Sequence, residues 1–307
     1  MQDPVYERVA NTPRPTLSAA GAMVLVTTAG LWLTSLLAWK LALTGDGEGL
    51  VNLMFYVPFV LLPIAIYAAR RPGIGASLRL NPMPPLSTLT VALLALMSVY
   101  AASGFTLAWQ WLLGRLGLTP HPVPEGPDSQ RALILGVIAM AAVPAVCEEL
   151  LFRGFVLSAW ESRGTWFAAG LATVMFALLH GNLYAWPAYL LVGGLAAYLV
   201  VRLDSLYAGI TFHTVYNTAC LVIPYLARSR GTGDAEAAVT GSELAGIGLE
   251  LALVLLVMAM LLYPLRARSR TMGIEPIPRI RRPLSLAERL WTGAALAALA
   301  VTTLVMV

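Results

Sequence analysis

Apolar residues gather along this chain into nine runs, at 17-39, 51-69, 88-113, 131-160, 165-182, 186-201, 205-226, 245-264 and 290-307, separated by short clusters of Arg, Pro, Gly and acidic residues. Most approach or exceed the about 20 residues that a helix needs to cross a roughly 30 Å hydrocarbon layer. Lipid offers the backbone no hydrogen-bonding partner, so each run is expected to close its bonds internally as a helix. The predicted fold class is all-α, a polytopic transmembrane helix bundle of about eight to nine spans with a core of four helices in mid-chain. Three regions are expected: N-terminal transmembrane helices over 1-130, a central core over 131-226, and a C-terminal loop with one or two further helices over 227-307. The run at 17-39 exceeds the 7–15 apolar residues of a signal-peptide core, and no small-x-small cleavage site follows, so it is expected to stay as an anchor.

Composition removes the soluble alternatives. Of 307 residues, 58% are hydrophobic and 12% charged, against about 25% charged in soluble domains. The net charge of +4 comes from 19 Arg and one Lys spread over the ends of apolar runs, which predicts membrane orientation and no nucleic-acid partner. When successive connections are assigned to alternate sides, one side holds Arg8, Arg14, Arg70, Arg71, Arg79, Arg153, Arg163, Arg202, Arg266, Arg268, Arg270, Arg279, Arg281, Arg282 and Arg289; the other holds Lys40, Arg115, Arg131, Arg228 and Arg230. The positive-inside bias makes the first side cytoplasmic, with the N-terminus inside. Cys147 and Cys220 lie in apolar stretches, so a disulfide framework is not expected, and Cys220 reads as a packing residue. Trp39, Trp160, Trp186 and Tyr263, near run ends, read as interfacial anchors. The stretch 70-87 is expected either to lie along the interface or to form a Pro-stiffened loop, and 227-243 to form an external loop. His121 falls in a Pro-rich loop and carries no expected role. No inverted repeat of the transporter kind is visible.

Ionisable groups within spans cost on the order of 2.5–3.5 kcal/mol each on insertion scales, which makes them functional candidates by default. Here they form three groups: Glu148-Glu149-Leu-Leu-Phe-Arg153, Phe176-Ala-Leu-Leu-His180 and His213-Thr-Val-Tyr-Asn217. Glu149 and Arg153 stand at i and i+4, on one helix face, and predict an ion pair. Glu148 is rotated about 100° away and is the carboxylate left free for chemistry. His213 and Asn217 share a face, as do Phe176 and His180. If the fourth helix runs on past Arg153 to the turn near Glu161-Ser-Arg-Gly164, Glu148 lies roughly 20 Å above that turn and His180 roughly 24 Å; His213 and Asn217 rise roughly 14 and 20 Å from Asp204. All four groups then share one depth.

These motifs, in this order and each within an apolar helix, resemble the family of type II CAAX prenyl proteases and bacteriocin-processing enzymes (CPBP), over about residues 131-226. The resemblance implies an intramembrane endopeptidase in which Glu148 and His180 activate a water, His213 and Asn217 stabilise the oxyanion, and Glu149 and Arg153 support them. The implied partners are the lipid bilayer and a membrane-associated protein or peptide substrate; no cofactor is implied. Burial suits a carboxylate to act as base, and oxyanion donors gain strength in a dry cavity. Zinc is the rival, with Glu148, His180 and His213 as three ligands, although the His-Glu-x-x-His helix is absent. A thiol mechanism through Cys147 is disfavoured by its apolar setting. The non-enzymatic alternative is a bacteriocin self-immunity protein or a transporter. The preference for Arg over Lys points to a bacterial source, hence an inner-membrane location.

Overall fold

A computed structural model describes residues 13–41, 51, 53–71, 73–118, 126–230, 241–274, 276–277 and 283–305. Its elements are helices: α1 (Leu17–Lys40), α2 (Leu53–Ala69), α3 (Pro85–Arg115), α4 (Gln130–Arg163), α5 (Thr165–Leu179), α6 (Trp186–Leu203), α7 (Leu206–Ser229), α8 (Gly241–Thr271) and α9 (Leu286–Val305). Each of the nine apolar runs thus becomes one helix, and no strand occurs among the described residues. Six of the helices, α1, α3, α4, α6, α7 and α8, are long and apolar enough to cross a membrane. The chain is a polytopic helical membrane bundle. His121 and most of 227-243 lie outside the described residues.

Local chemistry sets the ends. The Thr16 hydroxyl accepts from the Ala19 N–H at 3.1 Å and opens α1, and Ser129 accepts from Ala132 at 3.2 Å to open α4, each satisfying an N–H that a helix start leaves unpaired. Helix α5 stops at Leu179, short of the expected 182, because Gly181 turns left-handed at φ +63°, the usual exit from a helix. Asn182 then accepts from the Tyr184 N–H at 3.0 Å and starts the turn that leads into α6.

Helix α4 is central and runs to Arg163 as expected. Its residues Phe152, Phe155, Val156 and Leu157 are at most 1% exposed. Lipid is as apolar as these side chains, so the bundle gains from close packing rather than from escape from water. Small residues supply the closeness: Ala168, Ala169 and Ala172 on α5 and Ala196 and Ala197 on α6 are buried between neighbouring helices. Helices α1, α5 and α9 pack together on one flank, while α3 joins α6, α7 and α8 on the other.

Three wide π-helical turns interrupt the helices, at Val57–Leu61, Val137–Ala142 and Leu150–Leu157. Pro58 and Pro144 have no N–H to give to the preceding turn, which loosens the ladder at two of these places.

Residues 73–84 of the 70-87 stretch form a loop tied into the bundle. Ile74, Ser77 and Leu78 are buried, and the Ser77 carbonyl accepts from Ser158 at 2.5 Å. Glu161 binds Arg14 at 2.5 Å and Arg79 at 2.6 Å, and Arg79 also reaches Asp204 at 3.0 Å. Arg153, counted among the loop charges that set orientation, is buried in an ion pair. Trp160, expected at the interface, is 5% exposed and packs on Phe167, whereas Trp39 and Tyr263 are exposed as anchors should be. Cys220, expected to pack, is exposed, while Cys147 is buried.

Candidate active site

The three polar motifs meet between α4, α5 and α7. Glu148 and Glu149 are 5% and 0% exposed and Arg153 is 1% exposed. Four residues along either an α or a wider turn nearly complete one revolution, so Arg153 returns to the face of Glu149 and its Nη1 donates to Oε1 at 2.6 Å. Its Nη2 donates to the Gly193 carbonyl of α6 at 2.8 Å, and the guanidinium lies over the Phe176 ring at 4.6 Å. The expected ion pair is present and fully buried.

Each imidazole is fixed by a partner on Nδ1. His180 Nδ1 lies 2.9 Å from the Phe176 carbonyl; a carbonyl only accepts, so Nδ1 carries the proton and Nε2 is left facing outward from that bond. His213 Nδ1 lies 3.1 Å from Glu149 Oε1. The two free Nε2 atoms converge on one oxygen, Glu148 Oε2, at 3.9 Å from His180 and 3.8 Å from His213. That oxygen is buried and has no hydrogen-bond partner among the described residues. The common depth expected for Glu148, His180 and His213 holds.

Aromatic rings wall the cluster. Phe176 touches His180 with ring centroids 4.6 Å apart and His213 at 5.6 Å, and Phe152 packs edge-on against it. Tyr189 of α6 stacks on His180 at 4.1 Å. His180 keeps 24% of its side chain exposed, against 3% for His213, so the cluster opens on the His180 side. Asn217 stands one turn beyond His213 on α7 and its amide reaches the Met140 carbonyl of α4 at 3.5 Å. It is in the same row as His213 but makes no hydrogen bond to the carboxylates among the described residues.

Four features were not legible beforehand. Glu148 is not free, because the Tyr56 hydroxyl of α2 donates to its Oε1. Glu149 is not a purely structural partner of Arg153, because it also holds His213. Gly193 and Gly209 make room: a Cβ on Gly209 would lie 2.4 Å from Glu149 Oε2, and one on Gly193 would lie 3.2 Å from Arg153 Nη2. The wide turns follow directly on Tyr56 and Glu149 and contain Met140, and such turns gather at functional sites. A Tyr followed by Val57-Pro58 within an apolar run, and a Gly-Gly pair in α6, were the available signals.

A family model described as type II CAAX prenyl endopeptidase Rce1-like matches residues 130–219. That segment resembles the Rce1-like family. It comprises α4, α5, α6 and the part of α7 that carries His213 and Asn217, so the resemblance read from the three motifs is found on the same helices. Two relatives extend the likeness. Over 181 residues the chain is 26% identical to the UPF0177 protein YvdC of Lactococcus lactis subsp. lactis (strain IL1403), which covers 56% of this chain and 66% of that protein. Over 97 residues it is 28% identical to the protein named Putative membrane peptidase YdiL of Bacillus subtilis (strain 168), covering 31% and 40%. The chain therefore spans less than two thirds of either relative's length. No solved structure matches it. Tyr56 lies outside the matched segment 130–219.

Proposed function

We propose that this chain is an intramembrane endopeptidase, of the type II CAAX protease kind, that hydrolyses a peptide bond in a membrane-associated protein or peptide. The observation that carries the reading is the convergence of His180 Nε2 and His213 Nε2 on Glu148 Oε2, at 3.9 and 3.8 Å. A water about 2.8 Å from each of these atoms fits that spacing. Glu148 takes a proton from this water, with His180 Nε2 as the second acceptor, and the resulting hydroxide adds to the scissile carbonyl carbon. Negative charge then grows on the carbonyl oxygen. His213, when it holds both protons, keeps Nδ1–H on Glu149 and offers Nε2–H to that oxygen. The Asn217 amide, held only by a 3.5 Å contact to Met140, turns to give a second donor; each such donor is worth about 3–4 kcal/mol. The proton on Glu148 passes to the leaving amine as the C–N bond breaks.

The same residues are the zinc candidates. Zinc ligands sit about 2.0–2.2 Å from the ion, and among the described residues no group of three or more His, Cys, Asp or Glu side chains is arranged to hold one. In this reading Glu148 and His180 activate the water, with no step through a metal. The distribution of arginines supports a cytoplasmic N-terminus, in a bacterial inner membrane.

The test compares protein termini in membranes from cells expressing the wild type with those expressing Glu148→Gln, by mass spectrometry. New termini within or next to a membrane segment, present only with the wild type, are expected. Identical termini in both, with both proteins folded and inserted, would overturn the reading and favour a non-catalytic immunity or transport role.

A further inference from the structure

We propose that Tyr56 is a positioning residue for this hydrolysis: its hydroxyl fixes the Glu148 carboxylate so that Oε2, and not Oε1, faces the two imidazoles. The proposal rests on the function proposed above. A glutamate carboxylate turns easily about its last torsion, for which the rotamer wells are broad. Something must therefore choose which oxygen points at the water site. Among the described residues, the hydrogen bond that does so comes from Tyr56, which donates to Oε1, while Oε2 remains without a partner. The histidines do not compete for this task, since both stand beyond hydrogen-bond distance of Oε2.

Tyr56 is itself held. It is 8% exposed, its ring packs on Phe55 with centroids 4.7 Å apart, and the wide turn Val57–Leu61 begins at the next residue. Pro58 cannot donate to the preceding turn, so the backbone here departs from regular α geometry at the residue that reaches across to α4. A second hydroxyl, that of Tyr189, belongs to a ring stacked on His180, but no hydrogen bond joins it to Glu148. The two tyrosines thus divide the work: Tyr56 holds the carboxylate and Tyr189 supports the imidazole.

The test uses a synthetic peptide spanning the cleavage site found in the comparison of termini, with full-length protein in lipid nanodiscs. Tyr56→Phe keeps the ring and removes the hydroxyl. We expect kcat to fall about tenfold or more, KM to stay within about twofold, and the thermal unfolding midpoint to stay near that of the wild type. A purely structural contact between α2 and α4 would instead lower the unfolding midpoint and leave kcat per folded molecule unchanged, which would overturn the proposal. Should Tyr56→Phe fold poorly, fluorinated tyrosine placed at position 56 keeps the contact; kcat must then change with phenol acidity, and a constant kcat counts against the role. Glu148→Gln runs in parallel. If it cleaves as the wild type does, the proposed function itself is wrong; if it is dead while Tyr56→Phe is fully active, only the role of Tyr56 fails.

Discussion

His213 Nδ1 lies 3.1 Å from Glu149 Oε1, while its Nε2 faces Glu148 Oε2 at 3.8 Å. One imidazole therefore spans two adjacent carboxylates that point different ways from the same helix. The roughly 100° turn between successive residues separates the carboxylates, and the histidine couples them again from α7. Glu149 in turn is shared between His213 and Arg153, so the ion pair that offsets the cost of burying Arg153 also sets the orientation of the imidazole.

This sharing separates the effects of two near-identical substitutions. Glu149→Gln leaves the 1% exposed Arg153 without its counter-ion, and removing one partner of a buried pair costs about 3–5 kcal/mol. Glu148→Gln keeps a group of the same size beside Tyr56 and strands no charge. Thermal unfolding in detergent is expected to drop much more for Glu149→Gln, while both variants lose cleavage. Equal midpoints would mean that the Glu149–Arg153 pair contributes no net stability.

Glycines near the pair are expected to resist substitution in proportion to what a Cβ would meet. On Gly209 it would lie 2.4 Å from Glu149 Oε2 and 2.8 Å from Val200 Cγ2; on Gly194 the nearest atom is Thr173 Cγ2 at 4.0 Å. Gly209→Ala should therefore push Glu149 off His213, costing about 1–3 kcal/mol of overpacking and most of the activity. Gly194→Ala should be neutral in both unfolding and cleavage assays. Loss of activity in Gly194→Ala to the same degree would show that helix α6 tolerates no added side chain, whatever it faces.

Most of the helical layout was legible because lipid-facing and core-facing positions are both apolar, so a spanning helix leaves an unbroken run. The exact ends were less so: Gly181 stops α5 before 182, and α3 begins at Pro85 rather than 88. Glu148, His180 and His213 stood out as ionisable groups in apolar surroundings, and a common depth could be computed from helical rise. Tyr56 did not stand out, since a tyrosine in an apolar run also suits an interface, and its partner is distant in sequence. The wide turns were hidden as well, because a 3.6-residue period is blind to a local change in winding. Arg153 shows a limit of another kind: a tally of basic residues by connection cannot tell a loop charge from a buried ion pair.

The loop after α2 makes the next prediction. Glu161, with 5% of its side chain exposed, sits between Arg14 and Arg79, and the Leu206 N–H donates to the Arg79 carbonyl at 2.7 Å. The loop thereby joins the ends of α1, α4 and α7. Replacing Arg79 by Ala removes two ion pairs at once, to Glu161 and to Asp204, and should lower the unfolding midpoint clearly. Arg71→Ala, at an exposed position, should change it little, as surface substitutions usually stay within about 0.5 kcal/mol. If the two variants unfold alike, the network at Glu161 contributes no net stability, an outcome known for buried ion pairs whose desolvation cancels their attraction.

The last prediction concerns metal. Glu148 Oε2 and the two Nε2 atoms supply a base, a second proton acceptor and, with Asn217, oxyanion donors, which leaves a Lewis acid no required task. A zinc site would make a different demand: all three atoms would have to draw in to about 2.0–2.2 Å from one ion, and the Tyr56 hydroxyl would then act on a ligand rather than on a free carboxylate. Protein dialysed against a strong chelator should keep its full rate of peptide cleavage, and metal analysis of the active preparation should find zinc well below one ion per chain. Stoichiometric zinc, with activity lost on removal and restored on return, would turn Glu148, His180 and His213 into ligands and move the attacking water to the fourth position on the ion. Tyr56→Phe separates the two cases further, because in the zinc case it should weaken metal retention, whereas in the metal-free case it should lower kcat with nothing released.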